Sequence, residues 1–204
     1  MRLYKSRAEI TAMRKAAKIS AKGHIRAMQT CQPGMMEFEI EAEFQHHFKK
    51  NGCDHAYTPI VGGGENGCIL HYTENETQLL DGDLLLIDAG AENDLYAADI
   101  TRTFPVNGVF SPEQKSLYQI VLDAQLAAIE KVKPGIHWNE PHEAAVKVIT
   151  KGLTKLGLLK GNLRTLIKDQ AYRAFYMHRT GHWLGMDVHD VGDYKVGDVW
   201  RELE

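Results

Sequence analysis

Between Ser6 and Thr30 the apolar residues Ile10, Met13, Ala17, Ile25 and Met28 return at intervals of three, four and eight, which is the repeat of one face of an α-helix. Ser6, with Glu9 three residues on, supplies the capping box that would start it. Lys15, Lys18, Lys22 and Arg26 line another face, read as a solvated surface rather than a nucleic-acid contact. Pro33-Gly34 ends this helix, and a second is predicted from about Glu37 to Lys50, stopped by Asn51-Gly52. After Tyr57 the pattern shortens to strands: Ile60-Val61, Cys68 to Tyr72, Leu84 to Ala89 and Tyr96 to Phe104. Turns are expected between them at Gly62-Gly63-Gly64, Asp81-Gly82 and Asn93-Asp94. The triple glycine lacks the Lys-Ser/Thr of a phosphate-binding loop, so it reads as a turn.

The helical period returns at Ser111-Pro112-Glu113-Gln114, a cap with proline in the first turn and glutamine closing the box. That helix is predicted to reach about Lys133, followed by Pro134-Gly135 and a fourth helix from Glu140 to Leu156. A short helical piece near Arg164 to Ala171 leads into a strand-like, histidine-rich segment, Phe175 to His189. Helix, Pro-Gly, helix, strands therefore occurs twice, with the two Pro-Gly pairs 101 residues apart. The pattern implies an α+β domain over residues 1–204, built as a duplicated half-domain: residues 1–108 first, then a shorter copy over residues 109–204.

Composition narrows the class. A chain of 204 residues with 44% hydrophobic and 25% charged positions can bury an ordinary globular core. A net charge of −3 gives no general reason to bind nucleic acid or an anionic membrane. The longest wholly aliphatic run, Leu84 to Ile87, is far too short to span a bilayer, and the charged N-terminus has no secretory apolar stretch. Cys31, Cys53 and Cys68 are odd in number and widely spaced, which fits a reducing, cytoplasmic setting and argues against a zinc–thiolate site.

The chemistry lies in acids and histidines. Asp88 closes an apolar strand and Asp99 falls inside the next. A hairpin about Asn93-Asp94 would set the two directly opposite each other, and opposed buried carboxylates call for a proton, a base or a cation between them. A divalent metal answers that need; two surface acids beside a turn is the other reading. His178, His182 and His189 lie within twelve residues, and the i, i+4 pair His178 and His182 would share a face of a strand or a helix. With His71 after another apolar run, they could ligate a metal, move protons or bind a carbonyl oxygen; lone histidines are more often simply core or surface residues.

Several long strings here resemble bacterial aminopeptidase P. They are Gly67-Cys-Ile-Leu-His71-Tyr-Thr-Glu-Asn-Glu, Asp88-Ala-Gly, Asp99-Ile-Thr-Arg-Thr-Phe-Pro-Val-Asn-Gly, and His178-x-x-x-His182-Trp-Leu-Gly-Met-Asp-Val-His189-Asp. The likeness runs along essentially the whole chain and differs from methionine aminopeptidase around the histidines. It implies the pseudo-symmetric pita-bread fold and removal of an N-terminal residue from peptides with proline second, using two divalent ions, usually manganese, with a hydroxide held between them. By matched position it makes Asp88, Asp99 and His182 metal ligands, with Asp99 between the ions, and His71, His178 and His189 the residues that bind peptide and assist proton transfer. The family uses five protein ligands, and its two remaining glutamates have no counterpart up to Glu204. The resemblance therefore implies weak metal binding and little turnover for these 204 residues. It also implies an exposed sheet edge that favours a homo-oligomer. A prolidase cleaving Xaa-Pro dipeptides and a non-catalytic module of the same fold are the competing readings.

Overall fold

The computed structural model describes Arg2–Glu204, and the chain divides into two compact units. The first runs to Ser111 and takes back His182–Gly192; the second comprises Pro112–Gly181 and Asp193–Glu204. The architecture is α+β. No helix among the described residues is long and apolar enough to cross a membrane.

In the first unit, α1 (Arg7–Thr30) begins at the Ser6/Glu9 capping box, and α2 (Glu37–Lys50) follows with Asn51 as its C-cap. The buried face of α1 is not the apolar stripe that periodicity suggested. Ala16, Ile19, Ser20, Gly23, His24 and Ala27 are buried, whereas Ile10, Ile25 and Met28 are exposed. The reason is close approach: a Cβ on Gly23 would sit 3.0 Å from the Phe44 ring of α2, so the face that packs is the one with small side chains. Phe44, Phe48 and Ile40 of α2 then fill the core with Val61, Leu79, Leu85, Ile87 and Phe104.

Two three-stranded antiparallel sheets complete the unit. One has the order β2 (Ile60–Gly63), β3 (Leu84–Asp88), β6 (Thr101–Pro105); the other is β1 (Asp54–His55), β4 (Ala91–Asn93), β5 (Tyr96–Ala97). Several expected strands differ. Gly62 and Gly63 are strand residues, and only Gly64, at φ +52°, turns the chain into a short 3₁₀ helix, Gly64–Cys68. The predicted strand Cys68 to Tyr72 does not form; His71 has a left-handed φ of 56° that ends extended structure there.

The β4–β5 hairpin turns at Asp94-Leu95, both at positive φ, as a two-residue hairpin turn of mirror-image type requires. That centre lies one residue beyond Asn93-Asp94, so opposed residue numbers sum to 189 and not 187. Asp88 therefore faces Thr101, not Asp99. Asp99 itself lies between strands β5 and β6 rather than inside one continuous strand.

The second unit packs α3 (Pro112–Lys131) on α4 (Glu140–Lys155) through Ala124, Ala128, Ala145, Ile149 and Leu153. Gly152 permits the contact, because a Cβ there would meet Ile120 at 2.6 Å. A short helix α5 (Leu163–Lys168), a 3₁₀ turn (Ala171–Ala174) and a small hairpin of β7 (Lys195–Val196) with β8 (Val199–Trp200) follow. The segment 175–189, read as strand-like, has no regular structure, so the shared-face reasoning for His178 and His182 has no element to rest on. His178 belongs to the second unit and His182 to the first.

Candidate metal centre

Asp88 reaches the site because β3 ends there, and Asp99 because the chain crosses back at Gly90. The Ala98 carbonyl oxygen occupies the place a Cβ on Gly90 would need, 1.7 Å from it, and the Tyr57 ring lies 3.1 Å from the same point. Ala89 N donates to Ile100 O at 3.1 Å and Ala98 N to Ala91 O at 2.9 Å, so the 189 register persists through this break. Asp88 and Asp99 are then diagonal neighbours on one face, the two-residue offset at which cross-strand side chains still meet.

They meet on Tyr57. Its hydroxyl donates to Asp88 Oδ1 and lies 3.1 Å from Asp99 Oδ1. Burial first, then the Asp88 and Asp99 charges, push the Tyr57 phenol far above its ordinary range, which keeps it a donor. Burial is also the largest cause that raises the Asp88 carboxyl; Asp99 adds to it and the Tyr57 bond opposes it. The sequence carried no signal for Tyr57, which sits in a loop between β1 and β2.

His182 completes the cluster. Its Nδ1 lies 2.9 Å from the Trp183 carbonyl oxygen, which can only accept, so Nδ1 carries the proton. In the neutral ring Nε2 is then a lone pair, and it faces Asp99 Oδ2 at 3.0 Å. Two acceptors do not stay at that distance without a proton or a cation between them. Two carboxylates and an imidazole nitrogen, about three-quarters shielded from solvent at Asp99 and His182, form a donor set suited to a divalent ion. Among the described residues no three His, Cys, Asp or Glu side chains form a ready cation cage, so the set fits such an ion only in part.

His189 stacks on His182 with ring centroids 3.9 Å apart. The loop bearing both is held by Asp190, buried and paired with Arg2 and, at 2.9 Å, with Lys5 Nζ. Burial pushes the Asp190 carboxyl up, but the Lys5 bond, the Val191 backbone and both cations together hold it below the usual carboxylate value. His71 is exposed, on the segment after the 3₁₀ helix. Asp190, like Tyr57, was not singled out by sequence.

In the second unit His178 borders a cleft of about 210 Å³ lined also by His142, Tyr172, Arg173, Tyr176 and Arg179. The Thr180 hydroxyl lies 2.8 Å from His142 Nδ1 and 2.6 Å from the Tyr176 oxygen. Burial, then Arg179, lowers the His142 imidazole. His178 meets Tyr176 edge-on at 5.7 Å.

Residues 11–204 match the profile of metallopeptidase family M24. The chain belongs to metallopeptidase family M24. It is 54% identical over 205 residues to the Xaa-Pro aminopeptidase of Haemophilus influenzae, all of this chain against 47% of that protein. It is 51% identical over 195 residues to the Xaa-Pro aminopeptidase of Escherichia coli, 95% of this chain against 44% of that one. The solved aminopeptidase of Pseudomonas aeruginosa superposes with a TM-score of 0.98 at 60% identity, covering 100% of this chain and 46% of that chain. A glutamate-to-alanine variant of E. coli aminopeptidase P has been solved with substrate, and the zinc-substituted enzyme with product, each at a TM-score of 0.97. The α+β fold is thus that of the corresponding part of aminopeptidase P, and this chain spans about half the length of these M24 relatives. Membership of a metallopeptidase family implies divalent metal ions.

Proposed function

We propose that this chain is the catalytic part of a cytoplasmic Xaa-Pro aminopeptidase of pita-bread fold, acting on peptides with proline in second position. The observation that carries it is the convergence of Asp88 and Asp99 on the Tyr57 hydroxyl, with His182 Nε2 turned to Asp99. In this reading Asp88, Asp99 and His182 would hold the ions. When bound, two divalent ions, manganese by preference, supply Lewis acidity toward the scissile carbonyl and an activated water.

The chain's own residues do the rest. Tyr57 orients both carboxylates, and the Trp183 carbonyl fixes the His182 tautomer so that Nε2 faces inward. His71, His178 and His189 bind the peptide and carry protons to and from the scissile amide. Nucleic acid and membrane are not partners in this reading. Self-association belongs to it, consistent with the exposed Val196 and Val199 of the small hairpin.

Among the described residues two carboxylates and one imidazole form no ready cation cage, so this reading expects weak metal binding by these donors alone. Calorimetry with manganese, run beside hydrolysis of an Xaa-Pro-Yaa tripeptide and an Xaa-Pro dipeptide, tests this against the H. influenzae relative. Weak binding that Asp99→Asn abolishes is the expected result. Unchanged affinity in Asp99→Asn overturns the site, tight binding of two ions overturns the partial ligand set, and cleavage of the dipeptide alone favours a prolidase.

A further inference from the structure

Glu37 is the first residue of α2 and has no exposed surface, yet its carboxylate meets no cation in its hydrogen bonds. Four donors surround it instead. Oε1 accepts from Gly63 N at 2.8 Å and Asn66 Nδ2 at 3.1 Å; Oε2 accepts from the Tyr72 hydroxyl at 2.6 Å and Thr77 N at 2.9 Å. The N-terminal end of a helix, where backbone dipoles favour negative charge, makes this a tolerable place for a buried acid. Those donors come from the end of β2, the 3₁₀ helix and both sides of the stretch that follows His71.

His71 needs such a clamp. A non-glycine residue at φ 56° is held in a sparsely populated backbone region, which persists only when its neighbours over-determine it. Its own side chain is exposed, whereas Tyr72 beside it is buried with its hydroxyl on Glu37. Further along, Asn75, also at positive φ, accepts from Val61 N at 3.0 Å and donates to the Pro59 carbonyl at 3.0 Å. The chain is thus tied down immediately after His71 and again a few residues on, so the imidazole projects from a pinned loop.

We propose that Glu37 is a positioning residue for His71, acting on peptide binding through the backbone of residues 71–77. The peptide-binding consequence rests on the role given to His71 in the proposed function; the effect on the backbone does not. A carboxylate only accepts, and all four partners donate. Glutamine keeps the shape but places an NH₂ against two of them. The Tyr72 hydroxyl can rotate to accept from that NH₂, whereas the Thr77 N–H cannot, so in Glu37→Gln the mismatch falls on Thr77 and spares Gly63.

The test uses the full chain with Glu37→Gln, His71→Ala and the double variant. Amide exchange should quicken roughly tenfold at Thr77, the effect of losing one buried acceptor, with Gly63 unchanged. The His71 backbone carbon shifts, read by NMR without metal, should move away from their left-handed values as the Thr77 end of the segment loosens. Calorimetry with Ala-Pro-Ala and manganese should show roughly fivefold to tenfold weaker binding in Glu37→Gln, within the range of one lost acceptor. In the His71→Ala background the same change should cost nothing, because a positioning residue has no effect without the residue it positions.

Unchanged His71 shifts in Glu37→Gln overturn the proposal, and so does an equal loss of affinity with and without His71. If Ala-Pro-Ala binds no form of the chain, the substrate reading fails, and the His71 shifts alone decide the role of Glu37. Should Glu37→Gln not fold, Tyr72→Phe removes one of the four bonds and is expected to move the His71 shifts in the same direction.

Discussion

Tyr57 lends its hydroxyl proton to two carboxylates that are diagonal neighbours across a broken strand pair. Removing it in Tyr57→Phe should cost about 1–2 kcal/mol near neutral pH, the range for stranding a half-buried acceptor. The pH dependence has a definite sign. Asp88 is raised in the folded protein, so its contribution favours folding at low pH and is lost as pH rises through its folded value. The Tyr57 bond opposes that rise, hence its removal deepens the loss above the raised value and leaves little difference in acid. Urea unfolding of both forms at neutral pH and near the carboxylate range checks this; an equal loss at both would contradict it. The acids and histidines were legible as types in the sequence, because Asp88 ends an apolar run and the histidines cluster. Tyr57 was not, since a tyrosine in a loop carries no period, and its role arises only from a fold that returns the chain at Gly90.

At the scale of elements, the positions of α1 and α2 were readable almost to the residue from their caps, while the face that α1 buries was not. Helical periodicity favours the largest apolar side chains, but α1 packs closely enough that Ala16, Ser20, Gly23 and Ala27 win. Ser20 and His24 are polar and still buried because they meet backbone groups where β3 passes into β4: Ala91 N donates to Ser20 Oγ at 2.8 Å, and His24 Nε2 lies 3.2 Å from Ala89 O. The error in the hairpin has a similar origin. Asn93-Asp94 is the better turn by composition, but the ladder closes one residue later on Asp94-Leu95, and a shift of one in turn centre changes every partner.

This packing also has a titration consequence. His24, His47 and His55 are each lowered, chiefly by burial, and each has one buried ring nitrogen with no hydrogen-bond partner. Their folded values lie below the unfolded value near 6.5, so they cost no stability above it and destabilise the fold as pH falls through their depressed values. The midpoint of urea unfolding should therefore drop as pH is lowered below about 6.5. His55→Gln, which cannot take up a proton there, should flatten part of the slope; an unaltered slope would remove His55 from the set.

Across the whole molecule, the first unit is assembled from sequence that is far from continuous. The chain leaves it at Ser111 and returns at His182, bringing a loop with no regular structure and two of the proposed site histidines. Such a segment cannot hold its shape by backbone ladders alone. Ala97 N donates to Gly185 O at 2.9 Å, Asp190 N returns to Trp183 O at 3.0 Å, and the Asp190 carboxylate takes Arg2 and Lys5 from the opposite end of the sequence. Asp190 is the member of that set with the fewest alternatives: its side chain is 1% exposed, and Gly185 must lack a Cβ because the Asp190 carboxylate fills that space 2.0 Å away.

Asp190→Asn keeps the shape and removes the charge, leaving Lys5, itself largely shielded, without its counterion. The expected loss is about 2–3 kcal/mol, between that of a charged hydrogen bond and that of a broken buried pair. In the unsubstituted chain Asp190 is lowered, so its contribution is present above the ordinary carboxylate value and disappears as pH falls through the depressed one. The variant should therefore match the parent only in strong acid. His182 rides on this loop, so hydrogen exchange should quicken across residues 182–192 and manganese affinity should fall together. Faster exchange without a change in metal affinity would show that His182 keeps its place without Asp190, and that the Trp183 carbonyl alone sets the imidazole.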